Sequence, residues 1–237
     1  MRWLARGEVA LPADLDWLTP GEARYAAGLG YTKRRTEYLL RRLTAKHAVI
    51  ATLGLDGGPA RVEVRNARRG APYVLVDGVP AGVDVSVTDR AGWAVCVVGS
   101  GAIGCDLELV ERRSPGFVHD FLTRAEQSAV AAAADPDAAA NLVWSAKESA
   151  LKVLQTGLRR DTRSVEVTTH NGQTGGWAPL SVRTREGERL PGWWRRDGRF
   201  VLTVAARAEA PPPRALEDPT VLATAVPVHS WVARPLR

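Results

Sequence analysis

Glu148 and Lys152 stand four residues apart in Trp144-Ser-Ala-Lys147-Glu148-Ser-Ala-Leu-Lys152. Residues at that spacing share a helix face, so a carboxylate and an ammonium project side by side. Such a pair can serve as acid and base, or hold a cation beside a phosphate. Taken alone, it also describes a surface ion pair worth about 0.3–0.5 kcal/mol. A second acidic motif lies upstream. Asp106 and Glu108 sit two apart in the apolar run Ile103–Val110. Period two puts both carboxylates on one face of a strand, with Cys105, Leu107 and Leu109 on the other. Neighbouring carboxylates on an apolar strand repel, and burial raises the cost. A hard divalent cation would offset it, taking a few carboxylate oxygens, waters and substrate phosphates. Glu148, 42 residues after Asp106, is the candidate third carboxylate. A bare Asp-x-Glu also fits an edge-strand pair facing water.

The elements that position these residues follow from pattern. Val143, Ala150, Leu151 and Leu154 give the central helix, read over 138–156, an apolar face. Gly157 serves as its C-terminal stop. Thr19-Pro20-Gly-Glu22 is a helix start with capping-box spacing. Thr123 and Glu126 have the same spacing within a helix read over 117–134. Thr32 opens a further helix led by Lys33-Arg34-Arg35. Cations in a first turn oppose the helix dipole, which points either to a ligand phosphate or to a solvated basic face. Strands are expected at 3–9, 60–65, 73–76, 83–87, 93–98, 103–110, 164–169 and 180–184, with a hairpin turning at Asp197-Gly198. A run over 220–226 is strand-like, and Trp231 follows in the tail. Both halves read as helices followed by antiparallel strands, without a residue-level repeat. The expectation is therefore an α+β fold of two similar subdomains in a pseudo-twofold arrangement, 1–102 and 103–237, with a Pro-rich segment at 209–219.

The 237 residues carry a net charge of +6, which favours anionic partners. Cys96 and Cys105 have neither metal spacing nor a disulfide framework, and the N-terminus lacks an apolar leader, so a cytoplasmic protein is expected. No stretch is long and apolar enough for a membrane span.

Ile103-Gly-Cys-Asp106-Leu-Glu108, followed by Trp144-Ser-Ala-Lys147-Glu148-Ser-Ala-Leu-Lys152, resembles the paired signature of 4'-phosphopantetheinyl transferases. The length and doubled order resemble the monomeric Sfp-type. The resemblance implies transfer of the 4'-phosphopantetheine arm of coenzyme A to a serine of an apo acyl or peptidyl carrier protein, with release of adenosine 3',5'-bisphosphate. It implies Asp106, Glu108 and Glu148 as ligands of Mg2+, with Mn2+ left open as a substitute. Glu148 is then the base, directly or through water, and Lys152 meets the leaving phosphate. Lys147, Ser86, and Lys33, Arg34, Arg35 and Arg42 fall to coenzyme A. The carrier partner would be acidic, docking near 111–137.

Two departures stand out. Val87 occupies the place of a frequent histidine after Ser86, and Ala71 that of a frequent lysine before Pro72. Arg90 is the expected replacement cation. A degenerate binder of coenzyme A or carrier protein is a second reading. A nucleic-acid-binding protein is a third, for which no RNP motif, zinc spacing or helix-turn-helix pattern is present.

Overall fold

Every capping and packing signal in the sequence has to bury its apolar face somewhere, and here two sheets back onto one another with a helix outside each. The computed structural model describes residues 1–229; Trp231 lies outside them. The first half runs β1 (Arg2–Gly7), α1 (Pro20–Ala27), α2 (Thr32–Leu53), β2 (Val62–Asn66), β3 (Pro72–Val76), β4 (Val79–Pro80), β5 (Asp84–Arg90) and β6 (Trp93–Gly99). The second runs β7 (Ile103–Leu109), α3 (Pro115–Phe121), α4 (Arg124–Ala131), α5 (Pro136–Val153), β8 (Val165–Thr169), β9 (Ala178–Thr184), β10 (Arg189–Asp197), β11 (Phe200–Ala206) and β12 (Arg214–Ala215). One sheet has the order β12-β1-β6-β5, another β7-β11-β10-β9-β8, and a small third β2-β3-β4. The α+β expectation holds.

Alternation on the strands builds three layers of core. Trp3, Ala5, Val95 and Val97 from the first sheet meet Cys105, Leu107, Leu202 and Val204 from the second. The outer face of the first sheet, Leu4, Cys96 and Val98, packs on Ala45, Ala48 and Val49 of α2. That of the second, Leu180, Val182 and Ala205, packs on Ala146, Ala150 and Leu151 of α5. Burying a Leu- or Val-sized side chain contributes about 1.5–3 kcal/mol.

Several boundaries differ from the expectation. The 117–134 helix is two helices, because Leu122 is extended and Thr123 starts α4 with its own capping box. The β10–β11 turn falls at Gly198-Arg199, since Asp197 still pairs with Phe200. Gln155, at φ 54°, makes the left-handed exit from α5 ahead of Gly157. Residues 220–226 form turns rather than a strand. β12 pairs in parallel with β1, so the chain's last segment returns to the first sheet.

The halves also share a residue-level device that inspection of the sequence missed. Glu22 closes the capping box of α1 and accepts from Val64 N at 3.0 Å. It pairs with Lys46 of α2 at 2.6 Å, whose Nζ also donates to the carbonyls of Trp17 and Pro59. Glu126 closes the box of α4, accepts from Val167 N at 2.8 Å, and pairs with Lys147 of α5 at 2.8 Å. Lys147 Nζ in turn donates to the carbonyls of Thr162 and Val165. Both lysine side chains are 0% exposed. Each ties a capped short helix, a long helix and a strand start through one fully bonded charge.

Removing one partner of such a buried pair strands the other, at a cost of about 3–5 kcal/mol. Lys46→Met and Lys147→Met should therefore each lower Tm by roughly 10 °C in calorimetry. A change under about 2 °C for either would show that its pair is dispensable.

Candidate active site

The site forms where the edges of the two large sheets meet. β5 is one edge and β7 the other, and side-chain hydroxyls of β5 bond the β7 backbone. Ser86 Oγ accepts from Cys105 N at 2.9 Å, and Thr88 Oγ1 accepts from Leu107 N at 3.3 Å. Period two places Ser86, Thr88 and Arg90 on that one face. Thr88 also donates to Asp106 Oδ1 at 3.1 Å.

α5 lies directly over β7. A Cβ at Gly104 would sit 2.0 Å from the Ser149 carbonyl oxygen, so only glycine permits this approach. Ser145 donates to the Asp106 carbonyl at 3.1 Å, while Ser145 and Ser149 both bond Thr203 of β11. The close seating brings Lys152 Nζ to 2.9 Å from Asp106 Oδ1 and 2.7 Å from the Cys105 carbonyl. Glu148, one turn earlier, joins the same carboxylate field. Glu108 accepts from Trp144 Nε1 at 2.9 Å and from Arg113 at 2.9 Å, with Arg90 Nε 3.4 Å away. Phe117 and Phe121 pack edge-on against Trp144 and hold its ring.

The electrostatics follow from crowding. Burial, then the charges of Asp106 and Glu108, push the Glu148 carboxyl up to about 7, against some relief from Lys152. Glu108 is raised too, by burial and Asp106, despite Arg90 and Arg113. Burial works to lower Lys152, but Asp106, Cys105 and Glu148 outweigh it and the ammonium is held above its ordinary value.

The residues can be tested against a divalent cation. Asp106 Oδ2 and Glu148 Oε1 are buried and lack any hydrogen-bond partner, two orphaned hard oxygens in one carboxylate cluster. Buried polar atoms without partners are uncommon, and two within one carboxylate cluster leave capacity for a further partner. Among the described residues, no three His, Cys, Asp or Glu side chains form a ready metal cage. The cluster as it stands offers two free carboxylate oxygens, Asp106 Oδ2 and Glu148 Oε1, while both Glu108 oxygens are engaged by Trp144, Arg113 and Arg90.

The other expected residues divide. Ser86 and Lys152 line one cleft of about 250 Å3 with Gly70, Ala71, Pro72 and Val87. Arg90 pairs with Glu108 and Glu111. Lys33 lines a second cavity of about 320 Å3 with Asp89, Arg90 and Glu111. Arg34 lies over the Tyr31 ring, and Arg35 is half-buried on the first turn of α2. Arg42 stacks on Tyr38 beside Glu22, in a third cavity of about 500 Å3. The basic residues of α2 therefore do not share the Lys152 cleft. Lys147 corrects the expectation most plainly. Its ammonium is fully buried and bonded to three oxygens, so it cannot reach a phosphate.

Sequence reasoning gave no role to Thr88, Arg113, Gly104 or the indole N–H of Trp144. The period-two face of β5 signals Thr88. Arg113 carries no such signal, because its loop brings it to Glu108.

With this geometry in view, one comparison bears on the second half. Residues 102–204 match the family model of the 4'-phosphopantetheinyl transferase superfamily. That segment is similar to the superfamily, and the match covers 103 of the 237 residues. It spans β7 through nearly all of β11 and contains Asp106, Glu108, Glu148 and Lys152. The match supports phosphopantetheinyl transfer as the general activity. No curated protein matches the chain.

A carboxyl whose folded pKa lies above its ordinary value keeps its proton more tightly in the folded state. Its stabilisation is therefore full below the ordinary 4.5 and is lost as pH rises through about 7. In chelator, Glu148→Gln should raise Tm by several degrees at pH 8, corresponding to about 2–3 kcal/mol. The gain should shrink at pH 5. No gain at pH 8 would remove the claim that Glu148 is electrostatically strained.

Proposed function

We propose that the protein transfers the 4'-phosphopantetheine arm of coenzyme A to a serine of an apo acyl or peptidyl carrier protein, with Mg2+. The observation that carries this reading is the Asp106–Glu108–Glu148–Lys152 cluster, whose Lys152 also lines a cleft shared by both halves. Asp106, Glu108 and Glu148 would hold the ion, which supplies charge neutralisation on the pyrophosphate. Phosphoryl transfer needs little covalent help from protein, so positioning and electrostatics do most of the work.

The residues divide the proton and charge handling. Glu148 takes the proton of the carrier serine, directly or through water. The serine oxygen forms a bond to the phosphorus next to the pantetheine. The bond from that phosphorus to the bridging oxygen breaks, and adenosine 3',5'-bisphosphate leaves. Lys152, held protonated, meets the charge that develops on the leaving phosphate. Thr88 and Arg113 fix Asp106 and Glu108 so that neither turns away.

The chain's charge of +6 suits an acidic carrier protein, since complementary fields speed encounter. Cys96 and Cys105 are buried free thiols, in keeping with a reducing cytoplasm. Among the described residues no helix is long and apolar enough to cross a membrane.

Incubation with coenzyme A, Mg2+ and a panel of apo carrier proteins should add one arm to at least one carrier, read by intact mass. Lys152→Ala and Glu148→Gln should each slow that conversion by roughly 10²–10³. Coenzyme A binding without conversion of any carrier would instead favour a non-catalytic binder.

A further inference from the structure

The chain after β12 lies outside the segment that matches the superfamily. It runs as a strap that is tied to both large sheets. Leu216 N donates to the Trp3 carbonyl at 2.9 Å, and Glu217 pairs with Arg6, both partners on β1. Arg195 of β10 donates to the Pro219 carbonyl at 3.0 Å. Leu222 is fully buried in the core between the sheets. A Cβ at Gly198, in the β10–β11 turn, would lie 2.5 Å from the Ala223 carbonyl oxygen.

The strap then reaches the β5–β6 turn, Ala91-Gly92. Val228 N donates to the Ala91 carbonyl at 2.8 Å, and Trp93 Nε1 donates to the Val226 carbonyl at 3.0 Å. Glu8 N donates to the Gly92 carbonyl at 2.8 Å. A Cβ at Gly92 would lie 2.8 Å from Val228 Cβ, so turn and strap touch with no room for a side chain. Ala91 is a non-glycine at φ 48°, a conformation that persists where the surroundings over-determine it. The bonds from Val228, Trp93 and Glu8 supply that constraint.

Arg90 is the residue before this turn, and its guanidinium shares Glu108 Oε2 with Arg113. His229, directly after Val228, lines the cavity of about 320 Å3 together with Arg90 and Glu111. The strap, the turn and Arg90 thus form one connected unit beside the carboxylate cluster. A guanidinium on Glu108 competes with any other cation for the same oxygen. Whatever holds Arg90 there therefore decides how far Glu108 is available.

We propose that the strap is a positioning element for Arg90. By pinning the Ala91-Gly92 turn through Val226 and Val228, it seats the guanidinium on Glu108 and limits the access of a second cation. The seat stands on geometry; its bearing on the reaction rests on the reading that Glu108 helps hold Mg2+.

The test reads Glu108 through its other partner, the Trp144 indole N–H, in the full chain. Heteronuclear NMR in chelator at pH 8 follows that signal, assigned by its loss in Trp144→Phe. Val228→Pro removes the strap's donor to Ala91, whereas Val228→Ala keeps it. A carboxylate relieved of a cation accepts more strongly, so Arg90→Ala should move the Trp144 signal downfield. Val228→Pro should move it the same way, and Val228→Ala should leave it in place. Trp93→Phe, which deletes the strap's other bond, should repeat the Val228→Pro shift. Arg90→Ala combined with Val228→Pro should match Arg90→Ala alone, because residues acting through one contact do not add. Additive shifts, or no shift in Val228→Pro and Trp93→Phe, overturn the strap's role. No shift in Arg90→Ala overturns the seat itself. Calorimetric titration with Mg2+ then separates the two readings. Arg90→Ala and Val228→Pro should each tighten the ion roughly 3- to 10-fold. Coupled shifts with unchanged Mg2+ affinity keep the strap's role and remove Glu108 as a ligand of the ion.

Discussion

Three carboxylates crowd one partly buried wall, and most of the structure around them can be read as a response. Asp106, Glu108 and Glu148 raise one another's cost, and burial raises it further. The protein offsets part of this with Lys152 on Asp106 and with Arg113 and Arg90 on Glu108. It leaves Asp106 Oδ2 and Glu148 Oε1 without partners. A fully neutralised cluster would be more stable and would have nothing left to offer a cation or a serine proton. On the proposed function, that remaining imbalance is what a cation and a serine proton would answer.

Holding that imbalance in place requires rigid neighbours. α5 is pressed onto β7 because Gly104 has no side chain, and Ser145, Ser149 and Thr203 bond across the contact. Lys147 fixes the same helix from its other side, tying it to the cap of α4 and the start of β8. Lys46 repeats this arrangement in the first half. There the residue after the buried lysine is His47, where the second half has Glu148, so the two halves share a support structure and differ in what it carries. β5 then supplies Ser86 and Thr88 to the β7 edge, which joins the first half to the site.

Much of this was legible in residue order. Period two in Ile103–Val110 put Asp106 and Glu108 on one face, and the helical spacing of Glu148 and Lys152 survives in α5. Capping boxes at Thr19 and Thr123 are both formed. What escaped depends on long-range packing. Lys147 sits beside Glu148 in sequence, yet one step around the helix turns it from the carboxylate cluster into the core. The Glu–Lys repeat was hidden because its members lie over twenty residues apart and bond through backbone carbonyls. Arg113 reaches Glu108 from a loop, and its position has no periodicity to announce it. The basic start of α2 invited assignment to a phosphate, but net charge on a helix does not say which cavity it faces.

On the proposed function, the carboxylate site is incomplete until a phosphate-bearing ligand joins it. Titration calorimetry of Mg2+ into the protein, with and without saturating coenzyme A, measures that coupling directly. The account predicts that coenzyme A tightens Mg2+ binding at least roughly tenfold, a coupling of about 1.4 kcal/mol or more, and that Asp106→Asn or Glu148→Gln abolishes the gain. Mg2+ affinity that ignores both coenzyme A and these substitutions would contradict it.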